Sequence, residues 1–284
     1  MKILSFGEIL WDVYPTEKYI GGAPLNFAAH FVKHGGEAYM LSALGADELG
    51  KSALSKLKGW NINTEYVSVL KDKETGKCLV TIDEKGIPSY NLLKDVAYDY
   101  VDCNLKNKEF DALYFGTLAQ RSENNFKGLK EILKNNRFGD VFVDINIRPP
   151  FYSKETILFS FENATIMKIS EEELGIITNI LFGEEYNYKI ASKKISQRFE
   201  NLKFVIITKG GDGCYLYNSK TGEEYSKEAF KVKVVSSVGA GDSFSASFMY
   251  NYLSGERIEE CLNRANKIGA FVVSKAEAIP DYDF

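Results

Sequence analysis

Short apolar runs alternate with longer, helically spaced stretches through most of this chain, and that alternation leaves few possible folds. Lys2 to Phe6, Tyr39 to Leu44, Ala112 to Phe115, Val141 to Ile145, Thr165 to Ile169 and Phe204 to Thr208 read as strands. Leu25 to His34, Asp47 to Leu57, Ser122 to Asn135, Lys154 to Phe161 and the stretches from Glu171 and Tyr188 read as helices between them, with Asp47 near an N-cap. In the last stretch, Glu256 to Val273, the residues Ile258, Cys261, Leu262, Ala265, Ile268, Gly269 and Val272 fall at three- and four-residue steps, so one helix face is buried. A strand that returns through a helix lies parallel to its neighbour. The pattern therefore predicts an α/β fold: a doubly wound, mainly parallel sheet flanked by helices, with ligands at the C-terminal ends of the strands.

Two hairpins break the alternation. Lys77 to Asp83 and Ile87 to Leu92 are β-rich and are joined by Asp83-Glu84-Lys85-Gly86; Gly213 to Tyr217 and Glu223 to Val235 form the other pair. The expected organisation is one domain over 1–284, with a small β-sheet lid built from segments near 12–20 and 77–100.

Composition narrows the function. The 284 residues are 45% apolar and 26% charged, as in an ordinary globular protein, and the net charge of −4 forms no basic stripe, so nucleic acid is not an expected partner. Met1 to Leu10 is interrupted by Glu8 and reads as a first strand rather than a signal peptide. No apolar run is long enough to span a bilayer, and the four scattered cysteines fit free thiols in a cytoplasmic protein. The two histidines, His30 and His34, stand four apart without a third ligand nearby, so packing is the default for both. So few histidines also disfavour a Ser-His-Asp hydrolase.

Ser237-Val238-Gly239-Ala240-Gly241-Asp242-Ser243-Phe244 carries the chemistry. It follows the apolar run Phe230 to Val235, read as a strand, and opens a helix from Phe244 to Leu253. Glycines there let several N–H groups converge at a positive helix end, which makes an anion cradle. A carboxylate beside an anion is misplaced unless it takes a proton from a hydroxyl attacking that phosphate; the bland alternative is a turn with an Asp favouring the helix dipole. Asp12, just past the first strand, with Gly21, Gly22 and Asn26 at a helix entry, supplies acceptors and donors suited to a polyhydroxylated substrate, or merely a solvated acid and a turn. Asp144, Asn146 and Arg148 alternate after another strand, so they share one side if the chain stays extended there. Arg148 then steadies a phosphoryl or sugar oxygen, or forms a surface ion pair. Thr208-Lys209-Gly210-Gly211-Asp212-Gly213 lets a nucleotide approach the backbone closely, or simply turns the chain; neither a dinucleotide fingerprint nor a P-loop occurs.

Together these features resemble the ribokinase/PfkB family of small-molecule kinases from Met1 to about Pro280. One signature is Gly21-Gly22-Ala23-Pro24-Leu25-Asn26 through Gly35-Gly36 and Leu44 to Gly50; the other is Val238 to Phe244. Gly7-Glu8, Asp12 and Phe115-Gly116-Thr117-Leu118-Ala119-Gln120-Arg121 look most like bacterial fructokinases within the family. The resemblance implies that Asp242 is the catalytic base and that the backbone of Gly239, Ala240, Gly241 and Asp242 is the anion hole. It implies that Asp12, Gly21, Gly22 and Asn26 hold the sugar with Arg148 nearby, that Thr208, Gly210, Gly211 and Gly213 border ATP, and that Asn266 lies by the base. It also implies a β lid, which in relatives serves as a dimer clasp.

Two departures matter. Ser236-Ser237 replaces the usual Asp-Thr, which removes an acid tied to potassium activation. The family's Asn-x-x-Glu motif, tied to Mg²⁺ and phosphate, appears as Ser170-Glu171-Glu172-Glu173, keeping Glu173 alone. The implied function is ATP-dependent phosphorylation of a sugar hydroxyl, D-fructose to fructose 6-phosphate. Ribose, 2-keto-3-deoxygluconate, a nucleoside, or a weakly catalytic binding protein are the alternatives.

Overall fold

The structure, a computed structural model, describes residues 1–82 and 88–282. Its strands are β1 (Lys2–Phe6), β2 (Leu10–Val13), β3 (Lys18–Gly21), β4 (Glu37–Gly45), β5 (Val67–Leu70), β6 (Gly76–Ile82), β7 (Pro88–Leu92), β8 (Glu109–Phe115), β9 (Arg137–Asp144), β10 (Ile166–Ser170), β11 (Phe204–Thr208), β12 (Cys214–Asn218) and β13 (Glu224–Lys227). Its helices are α1 (Ala23–Lys33), α2 (Glu48–Gly59), α3 (Glu123–Asn135), α4 (Lys154–Asn163), α5 (Glu171–Phe182), α6 (Tyr188–Arg198), α7 (Ala240–Leu253) and α8 (Ile258–Val273).

The large sheet runs β13-β12-β11-β10-β9-β8-β1-β4-β5 and is parallel from β11 through β5; β12 runs against it and pairs antiparallel with both β11 and β13. Its strands are buried on both faces, so successive residues serve opposite cores. Ile3, Ala112, Tyr114, Phe204 and Ile206 pack with α1, α2, α7 and α8, whereas Leu4, Leu113, Phe115, Val205 and Ile207 pack with α3 to α6. The strand order reverses at β1, between β4 and β8, which opens a crevice at the C-terminal ends of these strands. A second sheet, β3-β2-β6-β7, stands beside that crevice. Its core is Leu10, Cys78, Val80, Val96 and Tyr98. Asp47 caps α2 by accepting from Gly50 N, and its other oxygen accepts from Thr75 N, which fixes the root of the second sheet.

The doubly wound sheet and small second sheet are as expected, and most element limits move by a few residues. The turn Asp83-Glu84-Lys85-Gly86 lies outside the described residues, and 93–100 is coil with a short 3₁₀ turn rather than sheet. The long strand expected over Glu223 to Val235 stops at Lys227. β13 is the sheet edge, and Asn266 of α8 donates to the carbonyls of Lys227 and Glu228 and turns the chain away. Val235 N and Ser236 N then bond to Val273 O, and Val232, Val234 and Val235 stay exposed. Helix α7 begins at Ala240, earlier than expected, so Gly241 and Asp242 occupy its first turn. No helix among the described residues is long and apolar enough to cross a membrane.

His30 is a packing residue. Its Nε2 lies 2.8 Å from Ala278 O, which only accepts, so Nε2 carries the proton and Nδ1 accepts from Tyr282 OH at 2.6 Å. Burial lowers its pKa to about 4. An unfolded His titrates near 6.5 (about the ordinary value). The stability due to neutral His30 is therefore complete above that value and is lost as pH falls toward 4. The thermal-stability advantage of the parent over His30→Gln should accordingly shrink across this window, by up to about 3 kcal/mol. Paired melting curves at each pH check it, because every other titrating group is common to both chains.

Candidate active site

The crevice is built from the end of β1. Ser5 Oγ donates to Pro24 O, and Ala23 N donates to Glu8 Oε1 at 3.2 Å, so strand end and α1 entry are tied together. Gly22 adopts φ 116, and a Cβ there would lie 2.4 Å from Glu8 O. Only glycine allows this approach. It leaves Asn26 one turn into α1, buried and facing the first turn of α7.

Asp242 and Asn26, 216 residues apart in sequence, meet there: Asn26 Nδ2 donates to Asp242 Oδ2 at 2.7 Å. Among the described residues the Oδ1 of Asn26 is buried without a hydrogen-bond partner, an open acceptor facing the crevice. Gly239 takes the N-cap position with φ 80, and no side chain caps α7. Apart from Ala240 N, which donates weakly to Ser237 O at 3.4 Å, its first N–H groups are thus available to an anion. Gly239 fits flush on the C-terminal segment, since a Cβ would come 2.7 Å from Ala278 O. Burial and the nearby Asp144 carboxylate raise the Asp242 pKa to about 6, against the hydrogen bond from Asn26 and the charges of Lys168 and Arg148. Burial, chiefly, lifts Glu8 to about 7.

Asp12 lies on β2, opposite Cys78 of β6, and burial raises its pKa while the Cys78 thiol hydrogen-bonds to it. Gly21 keeps its carboxylate open, because a Cβ would sit 3.3 Å from Asp12 Oδ2. The alternation expected of Asp144, Asn146 and Arg148 does not hold. β9 ends at Asp144, and Asn146 turns at φ 41. Asp144 is buried against Lys168, while Arg148 is exposed and acts on Asp12, Glu8 and Asp242 through its charge.

Thr208 pairs in register with Ser170 at the adjoining strand ends, and Gly210 and Gly211 are exposed in the turn that follows. Gly213, at φ 91, closes on Lys227 O, the carbonyl that also receives Asn266 Nδ2. Thr208, Gly210, Gly211, Gly213 and Asn266 thus gather at one end of the sheet, with Asn266 holding backbone. Glu173 serves two backbone tasks: Oε1 accepts from Ile147 N at 2.5 Å, and Oε2 accepts from Ser170 N and Oγ. Ser170 caps α5 in return. Among the described residues no group of three or more His, Cys, Asp and Glu side chains is placed to hold a metal ion. Both carboxylate oxygens of Glu173 thus tie the end of β10 to the segment after β9.

Glu8 and Lys168 were not singled out as site residues from sequence. Each had a signal: a lone charge inside an apolar run that the sheet buries.

Residues 3–283 match the sequence family described as pfkB family carbohydrate kinase. The chain is 27% identical to fructokinase-2 of Zea mays, over 98% of this chain and 90% of that protein. It is 25% identical to 5-dehydro-2-deoxygluconokinase 2 of Bacillus cereus, over 93% and 83%. Among solved structures, fructokinase from Vibrio cholerae O395, bound to fructose, ADP and calcium, superposes with a TM-score of 0.82 at 19% identity, covering 98% of this chain and 94% of that one. Aminoimidazole riboside kinase from Salmonella enterica gives 0.82 at 21%, covering 98% and 95%. These two structures share the fold. With the family match running nearly end to end and an acid-bearing glycine turn at the crevice, the chain belongs to the pfkB family of carbohydrate kinases.

Proposed function

We propose that this kinase transfers the γ-phosphoryl group of ATP to a primary hydroxyl of a sugar, with D-fructose as the acceptor and fructose 6-phosphate as the product. The observation that carries this reading is Asp242 at the head of an uncapped helix, bonded to Asn26, whose Oδ1 still lacks a donor. Asp12, Gly21, Gly22 and Asn26 hold the sugar hydroxyls. Asp242 takes the proton of the attacking hydroxyl; that oxygen bonds to the γ-phosphorus as the bond to the β-phosphate oxygen breaks and ADP leaves. The N–H groups of Gly239, Ala240, Gly241 and Asp242, with Arg148, take up the developing charge. Thr208 to Gly213 and Asn266 border the nucleotide, which arrives as its divalent-metal complex. The β2-β3-β6-β7 sheet acts as a lid that excludes water, and its outer edge is the proposed contact with a second copy.

Low identity to fructokinases, and the presence of 5-dehydro-2-deoxygluconokinases among the relatives, make acceptor identity the point to test. A coupled assay with Mg-ATP and a panel of fructose, ribose, 2-keto-3-deoxygluconate, 5-dehydro-2-deoxygluconate and nucleosides should give the highest kcat/KM with fructose. A higher value for another acceptor overturns the fructose assignment, and no turnover with any overturns the kinase mechanism. Potassium added to the same assay should change the rate little, because Ser236 stands where an acid would be needed.

A further inference from the structure

Lys168 sits in the middle of β10 between Ile166, Met167 and Ile169, and is 5% exposed. Burying an ammonium ion in an apolar strand costs several kcal/mol, about what a good ion pair returns, so simple stability does not explain a lysine there. Its position does. Lys168 and Asp144 are opposite each other on β10 and β9, and Nζ donates to Asp144 Oδ2 at 2.7 Å. Tyr114 OH and Ser245 Oγ, at 3.5 and 3.3 Å, complete the surroundings of that oxygen. A Cβ on Gly241 would lie 3.2 Å from Nζ, so the ammonium is packed against the anion turn itself. Nζ has three N–H groups and Asp144 takes one.

The turn has an electrostatic difficulty that this placement resolves. Asp144, Asp242 and Glu173 all act on Lys168, and a transferring phosphoryl group would bring more negative charge to the same place. We propose, building on the kinase reading above, that Lys168 is a positioning residue of the phosphoryl-transfer centre: its buried ammonium, held by Asp144 against Gly241, is the fixed cation that lets Asp242 and a phosphoryl group share one turn.

The sign of two opposed substitutions tests it. Around Asp242 stand Asp144 of β9, Lys168 of β10, Arg148 beyond β9 and Glu8 beyond β1, with Asn26 of α1 bonded to it and Tyr114 of β8 nearby. Lys168→Met leaves Asp144 unopposed, so Asp242 keeps its proton to higher pH. The acid limb of kcat/KM should move up by about one pH unit, and the maximum should fall at least tenfold. Asp144→Asn leaves Lys168 unopposed, and the limb should move down by a similar amount. Lys168→Arg, which keeps the charge, should leave the limb near its parental position. The same titration is read without turnover from melting curves of each chain against its Asp242→Asn derivative across pH. Opposite displacements support the proposal. An unmoved titration in folded Lys168→Met and Asp144→Asn overturns it. If Lys168→Met does not fold, Asp144→Asn decides alone: a downward shift supports the proposal, and no shift overturns it. Should no acceptor be phosphorylated while the melts still shift in opposite directions, the kinase mechanism fails and the role of Lys168 at the turn stands.

Discussion

Asp242→Asn is expected to lower kcat by about 10²–10⁴-fold, the usual worth of a positioned general base, while making the protein more stable at neutral pH. Both effects come from one environment. Burial and the Asp144 carboxylate hold the Asp242 pKa at about 6, above the ordinary value of roughly 4. A raised acid binds its proton more tightly in the folded than in the unfolded chain. Folding therefore loses stability as pH rises from about 4 to 6, and above that the ionised carboxylate is a net cost of at most about 3 kcal/mol. Asparagine keeps the shape and removes the charge. Its advantage in melting temperature should be full at pH 8 and absent below about pH 4. The parental kcat/KM should fall off below about pH 6 as the base is protonated. A variant that stays within tenfold of the parent in kcat would show that Asp242 is no base. One that loses activity without the pH-dependent gain would show that the carboxylate is not held at a raised pKa.

Gly22→Ala is expected to have the largest effect on folding. At φ 116 an L side chain is strained, and the added Cβ would lie 2.4 Å from the backbone oxygen of Glu8, which cannot swing away as a side chain would. Strain and overpacking together cost about 3 kcal/mol or more, a fall in melting temperature of roughly 6–12 °C for a chain of this size class. Relief of the clash would move Ala23 off Glu8 and α1 off Asp242, so the sugar KM should rise as well. Gly59→Ala is the control: a Cβ meets nothing within 4 Å there, and helix propensity favours alanine by about 1 kcal/mol. Equal melting temperatures for the two variants would show that the Gly22 turn is not constrained.

The parallel sheet was legible because a strand buried on both faces must be apolar throughout, and the helices between strands display their buried stripes. β5 (Val67–Leu70) was not legible, being short and at an edge. The Phe230 to Val235 run misled for the opposite reason: its residues favour strands, yet β13 already forms the sheet edge and Asn266 diverts the backbone before they can pair. Of the candidate site, the glycine turns and the carboxylate at the head of α7 could be read directly, since positive φ and an uncapped helix start leave local marks. The placement of Arg148 could not, because Asn146 at φ 41 breaks the alternation on which that inference rested.

What the sequence determined by itself was local: most of the strands and helices, the glycines the backbone requires, and the turn proposed to hold an anion. These depend on residues within a few positions of one another. Tertiary structure alone decided that Asn26 rests on Asp242, that Lys168 and Asp144 lie against Gly241, and that Glu173 straps Ile147 to Ser170. Those contacts join segments far apart in the chain. The charges that result, and the proton affinity of Asp242 with them, arise only when the sheet has brought its strand ends together and excluded water from between them.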